Sequence, residues 1–215
     1  MKVSQAKENI LKKIRQALTT STPLPFPQSE GNNMVFRVSQ QELEIEFAEK
    51  FTNLLGKFIF CVNQEELASQ LNALVDHRNF KNIYCIEEKL KSVLLKHNYS
   101  NFSEINLEEC DAAITSCELL IARTGSIVMS TAQQSGRTAS VYAPIHICIS
   151  YSNQLVYDIK DGLQFLKDKF RNDLPSLITF ATGPSRTADI EKSLVVGVHG
   201  PKEVFVFLVD DYSEE

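Results

Sequence analysis

EVFVFLV, residues 203–209, is the stretch that decides the fold. After its first residue it has no polar position. A strand with one wet face alternates apolar and polar residues, so an unbroken apolar run this short marks a strand covered on both sides. That is the signature of an interior strand in a parallel sheet.

Working outward from this strand, the same chain alternates strand-like and helix-like segments. LITFA (177–181), KFIFCV (57–62) and NIYCI (82–86) are short apolar strands. CELLIA (117–122) and SIVMS (126–130) are strands joined through Arg123-Thr124-Gly125, and ASVYA (139–143) and IHICIS (145–150) follow as strands. Helices are expected over 41–56, closed by Gly56, and over 63–75, opened by Asn63 with Glu66 three residues on. Further helices are expected over 87–97 and 157–170. Strands alternating with helices predict an α/β fold whose parallel-rich sheet carries helices on both faces, over residues 40–212. The strand-rich middle, 117–150, predicts an antiparallel excursion.

Residues 1–39 read as an N-terminal extension. Ile10, Leu11, Ile14 and Leu18 form one apolar stripe among lysines, and Pro23, Pro25 and Pro27 force the following strap into an extended path. The extension either packs on its own domain or meets a partner chain. With 43% hydrophobic and 23% charged residues the composition is that of an ordinary globular protein, and a net charge of −5 gives no field for nucleic acid or an anionic membrane. No apolar run approaches the roughly 18 residues of a membrane span, and the N-terminus lacks a signal-peptide core, so a cytoplasmic location is expected. The five cysteines, Cys61, Cys85, Cys110, Cys117 and Cys148, show no C-x-x-C spacing. They predict buried reduced thiols, with neither a metal site nor an iron–sulfur cluster in this chain.

Ligands in open α/β sheets sit beyond the carboxyl ends of strands, so the strand-end turns are the places to seek a site. In the turn after LIA, Arg123 offers a bidentate clamp for a carboxylate or phosphate, Thr124 and Ser126 offer hydroxyls, and Gly125 permits a close backbone approach. The polar loop STAQQSGR, residues 130–137, brings Arg137. In PIHICIS, His146 and Cys148 share a face but lie roughly 6.5–7 Å apart at Cα, too far for a nucleophile–base pair. His146 is instead a candidate general base or donor. In TGPSRTADIE (182–191), Gly183 makes a sharp turn, Ser185 or Thr187 caps an expected helix, and Arg186 adds charge to a helix N-terminus suited to an anion. Asp189 and Glu191 in that first turn already complement the helix dipole. His199, in the turn GVHGP (197–201), either reaches the same cleft or closes its own turn. Neither a Walker loop nor a dinucleotide fingerprint is present.

These segments, ARTGSIV (122–128), Gly136-Arg137, PIHI (144–147), TGPSRTADIE and LVVGVHGP (194–201), occur in an order that resembles the LUD domain, and within it the lactate-utilization protein C family, over roughly residues 40–210. The resemblance implies a fold like that of the ribose-phosphate isomerase, glucosamine-phosphate isomerase and CoA-transferase superfamily. It implies the non-iron–sulfur subunit of a three-protein system that oxidises L-lactate to pyruvate, with the clusters in its partner subunits, and homo-oligomerisation is a further possibility. The expected pocket binds a small carboxylate or hydroxy acid through Arg123, Thr124, Gly125, Ser126, Arg137, His146, Gly183, Ser185, Arg186 and His199, with His146 and His199 as the catalytic candidates. The alternatives are a standalone sugar-phosphate or acyl-CoA enzyme or sensor of the same fold, and an assembly module that docks through residues 1–30. The family usually carries an acidic residue where this chain has Arg123, and the glutamate motif of the CoA-transferases is absent; Glu118 lies in a strand.

Overall fold

The computed structural model describes residues 5–18, 39, 41–171, 173–187, 195–197 and 199–210. The chain divides into two units, 1–38 and 39–215. In the first, α1 (Gln5–Leu18) is a helix with Glu8 in its first turn and Arg15 in its last, charges that suit the helix dipole. The proline strap lies outside the described residues.

The second unit opens with α2 (Leu43–Asn53), β1 (Lys57–Cys61), α3 (Gln64–Arg78), β2 (Ile83–Tyr84), α4 (Glu88–Lys96) and β3 (Ala112–Ser116). Next come β4 (Leu119–Ile121), β5 (Ser126–Ser130), α5 (Ala139–Tyr142), β6 (Ile145–Tyr151), β7 (Leu155–Val156) and α6 (Ile159–Phe170). The last strands are β8 (Ile178–Ala181), β9 (Arg186–Thr187), β10 (Val195–Val196) and β11 (Glu203–Val209). The main sheet is parallel throughout, in the order β1-β11-β6-β3-β2. EVFVFLV is therefore an interior strand, with Phe207 facing Ile59 on one side and Ile149 on the other.

Alternation along β6 and β11 sends side chains to two different cores. Ile147, Ile149, Phe205, Phe207 and Val209 pack against Leu67, Leu71 and Val75 of α3 and Leu90 and Leu94 of α4. Cys148, Val204, Val206 and Leu208 face Phe47 and Phe51 of α2 together with Leu120, Ile127 and Met129. Those last three belong to a second sheet, ordered β7-β4-β5-β8, whose β5 runs antiparallel to both neighbours. The outer face of that sheet, Leu119, Ile121 and Val128, is closed by Leu166 of α6. The expected α/β architecture with a parallel-rich sheet is thus present, and the antiparallel pair β4–β5 expected within 117–150 is extended by β7 and β8 into a second sheet.

Local chemistry accounts for the boundaries. Asn63 accepts the Glu66 amide at 2.8 Å, and the Glu66 carboxylate reaches back to the Val62 amide at 2.8 Å, so α3 is capped as its sequence predicts. Glu203 sits between Lys57 and Arg78 and ties the start of β11 to β1 and α3. Burial alone would raise its carboxyl, but the bonds and charges of those two cations outweigh it and hold the group below its ordinary value.

Several expectations need correction. ASVYA is a helical turn, not a strand: the Val141 and Tyr142 amides both bond the Thr138 carbonyl, and the two side chains stand exposed while Ala139 is buried. CELLIA keeps strand geometry only over Leu119–Ile121 and then tightens into a 3₁₀ turn at Ala122–Thr124. Gly56 does not take the left-handed position that closes α2; Leu55 does, at φ 68°. Arg186 and Thr187 form a strand paired with Val195–Val196 rather than opening a helix, and residues 188–194 of the expected helix lie outside the described residues. Two strands, β3 and β7, carry too little bulky apolar sequence to announce themselves.

Truncating Phe207 to Ala removes a side chain buried between sheet and helices and is expected to cost about 3–5 kcal/mol in urea unfolding. Phe60→Ala on the same sheet, at a residue 42% exposed, is expected to cost under about 1 kcal/mol.

Candidate functional site

The turn between β4 and β5 lies against the last turn of α2. Gly125 adopts φ 60°, and a Cβ there would stand 2.6 Å from the Phe51 amide nitrogen. Gly183, at φ 83°, meets the same helix end: its Cβ would stand 2.5 Å from the Leu54 carbonyl oxygen. The T-G in ARTGS and the T-G in TGPSR are therefore matched features, each letting a turn seat on α2 where any side chain collides. Between them runs a chain of hydroxyls, Thr124 to Ser126 at 2.7 Å and Ser126 to Thr182 at 2.9 Å. Arg123 is turned to Asp158, with Nε 2.5 Å from Oδ2. Asp158 is also the N-cap of α6, accepting the Lys160 amide at 3.1 Å. The Arg123 charge thus secures a helix start from within the fold.

Two residues beyond Gly183 the chain enters a compact hairpin. The Ser185 amide donates to the Pro201 carbonyl and the Gly197 amide donates to the Ser185 carbonyl, both at 3.0 Å. A Cβ on Gly200 would lie 2.9 Å from that of Ser185, so the GVHGP turn closes tightly on the GPSR turn. Arg186 and His199 are exposed on this hairpin. The Lys202 amide then donates to the Pro144 carbonyl at 2.8 Å, which joins the hairpin to the start of β6. The structure thus brings Thr124, Gly125, Ser126, Gly183, Ser185, Arg186 and His199 along one continuous run of turns.

His146 and Arg137 are placed differently. His146 is buried at 1% exposure, its Nε2 2.8 Å from the Thr115 hydroxyl, and desolvation pushes its pKa down to about 4. It is a neutral, enclosed imidazole at neutral pH. Arg137 is exposed and donates to the Ser176 hydroxyl at 2.7 Å, at the end of β8 opposite to Thr182. All five cysteines are buried and unbridged, and burial raises the thiols of Cys61 and Cys85 to about 11. Among the described residues no group of three or more His, Cys, Asp and Glu side chains is arranged to hold a metal ion.

A separate cavity of about 610 Å³ opens at the carboxyl edge of the parallel sheet. Ser116 ends β3 and Tyr151 ends β6, Glu87 precedes α4, and Gln133 and Gln134 come from the loop after β5. None of these five residues stands out in the sequence. The position of Glu87, directly after the NIYCI strand, is the one sign that points to it.

A family model of the LUD domain matches residues 45–209. The chain belongs to the LUD domain family. Among curated relatives of this LUD domain, Lactate utilization protein C of Bacillus velezensis is 35% identical over 106 residues, covering 48% of this chain and 44% of the relative. Lactate utilization protein C of Deinococcus radiodurans is 34% identical over 108 residues, half of each chain. The matched stretch thus spans about half the length of these two relatives. A longer match, to Lactate utilization protein C of Oceanobacillus iheyensis, is 26% identical over 191 residues and covers 80% of this chain and 82% of the relative. Among solved structures, a DUF162 family protein from Deinococcus radiodurans superposes with a TM-score of 0.60 at 20% identity, over 80% of this chain and 99% of that one. It shares the fold of this LUD domain.

Two outcomes are expected at these residues. Gly125→Ala adds a Cβ at positive φ against the Phe51 backbone and should lower stability by about 2–4 kcal/mol in denaturant titration. The second concerns pH. The folded LUD domain holds His146 near pKa 4, against 6.5 when unfolded, so the unfolded chain binds the extra proton as pH falls. Stability contributed at neutral pH should then be lost from about pH 6.5 down to 4, at up to about 1.4 kcal/mol per pH unit. His146→Gln should flatten that slope, measured as the difference in urea midpoint between wild type and variant at several pH values.

Proposed function

We propose that this LUD domain chain serves lactate utilization as the subunit without iron–sulfur clusters in a system that oxidises L-lactate to pyruvate in the cytoplasm. The observation that carries the reading is the alignment with Lactate utilization protein C of Oceanobacillus iheyensis, which runs through most of both chains. Oxidising a secondary alcohol to a ketone releases two electrons and two protons. Ordinary side chains do not accept that electron pair, so the reading assigns the acceptor to iron–sulfur partner subunits. This chain's part is to hold a small hydroxy acid or carboxylate. The run of turns supports that assignment: the exposed Arg186 guanidinium and His199 imidazole suit a carboxylate, and the Thr124, Ser126 and Thr182 hydroxyls suit a substrate hydroxyl.

Deleting the gene should abolish growth on L-lactate and spare growth on glucose. The purified chain should not reduce a redox dye with L-lactate unless its partner subunits are added. Arg186→Ala, at an exposed position, should weaken carboxylate binding about tenfold with unchanged thermal stability. Lactate-dependent dye reduction by the isolated chain contradicts the subunit role.

A further inference from the structure

We propose that the cavity at the carboxyl edge is a second binding site, for a small molecule that presents a hydrogen-bond donor, and that Glu87 receives it. The Glu87 residue is only 6% exposed. Its Oε2 accepts the Ser116 amide at 3.1 Å and the Ser116 hydroxyl at 2.5 Å. Its Oε1 is buried and has no hydrogen-bond partner among the described residues. A carboxylate oxygen accepts, and a buried acceptor left unmatched is destabilising. Glu87 lines the cavity, so a donor brought into it would satisfy this oxygen.

The surroundings narrow what that donor can be. The Gln133 amide group donates to the Ser116 hydroxyl at 3.1 Å, and its carbonyl accepts the Ser130 amide at 2.9 Å. Ser130, Gln133, Ser116 and Glu87 thus form one oriented relay. The Ser116 hydroxyl and the Gln133 carbonyl are both occupied, so the unmet demand in the relay is for a donor at Oε1. A carboxylate or phosphate ligand brings acceptors and a second negative charge to this point; an ammonium or hydroxyl group brings what is missing. Leu90 and Val93 give the rest of the wall its apolar part and Glu88, Lys89, Gln134 and Tyr151 its polar part, and about 610 Å³ is the size of an ordinary small-molecule pocket. The place is the one favoured by open α/β folds, beyond the carboxyl ends of adjacent strands. Oε1 is covered in this structure, so occupancy requires a change of rotamer at the cavity wall, a fast side-chain motion.

The test uses the full chain and calorimetric titration with ethanolamine and with D-ribose as donor probes, and with L-lactate and inorganic phosphate as anionic ones. A donor probe should bind to wild type and about tenfold more weakly to Glu87→Gln, while neither anion loses affinity in that variant. Tighter binding of ethanolamine assigns an ammonium group, and tighter binding of D-ribose assigns a hydroxyl. Absence of binding by both donor probes overturns the proposal, as does equal binding to wild type and Glu87→Gln. Should that variant not fold, Ala132→Leu, at an exposed position lining the cavity, takes its place: a tenfold loss supports the site and undiminished binding overturns it. The lactate reading rests on the alignment and on the other run of turns, and stands or falls separately.

Discussion

The face of the parallel sheet that carries Cys148, Val204, Val206 and Leu208 must be hidden from water, and the way it is hidden organises the molecule. Helices α3 and α4 cover the opposite face in the usual manner of α/β folds. Here β4 and β5, inserted between β3 and β6, join β7 and β8 in a second sheet that lies over the other face with α2. That choice sets the position of every turn considered above. Gly125 and Gly183 are required because two turns of the second sheet must both approach the end of α2, the helix that shares its core.

The same constraint separates the molecule's chemistry into two places. The paired glycine turns, the hydroxyl chain and the exposed Arg186 and His199 lie where β8 and the hairpin lead back to the start of β11. The Glu87 cavity lies where β3 and β6 end. Buried ionic groups brace both. The Arg123–Asp158 pair holds the start of α6 near the first, and Glu118, 3% exposed, bonds Ser130 and Lys169 near the second. Arg123, which looks like a ligand-binding charge in the sequence, is an internal fastening, and Glu118 is another.

Legibility followed side-chain character. Elements with strong periodicity or an unbroken apolar run, such as β11, β6, α3 and α6, were readable because their residues alone specify burial on one face or two. AAITS of β3 was not, because its two alanines disfavour a strand as its isoleucine and threonine favour one, and its strand geometry comes from neighbours on both sides. ASVYA misled for the opposite reason: β-branched and aromatic residues suggested a strand, but the Thr138 carbonyl gathers the local amides into a turn. In the candidate site, the glycines and the order of motifs were legible. The commitments of Arg123 to Asp158, of His146 to Thr115 and of Arg137 to Ser176 were not, since each partner lies more than thirty residues away in the chain. Glu87 was marked by nothing but its place after a strand, because one glutamate at a helix start looks like any other.

The place of β11 also dictates an order of events. Among the described residues it follows every other strand, yet it inserts between β1 and β6, strands that come long before it. Until it arrives, β1 and β6 cannot join, and each presents an unpaired backbone edge beside apolar side chains. During synthesis most of the domain must therefore wait on the ribosome as an incomplete sheet. A chain halted before Glu203 is not a smaller domain but an adhesive one, and quality control, rather than loss of a binding site, would decide its fate.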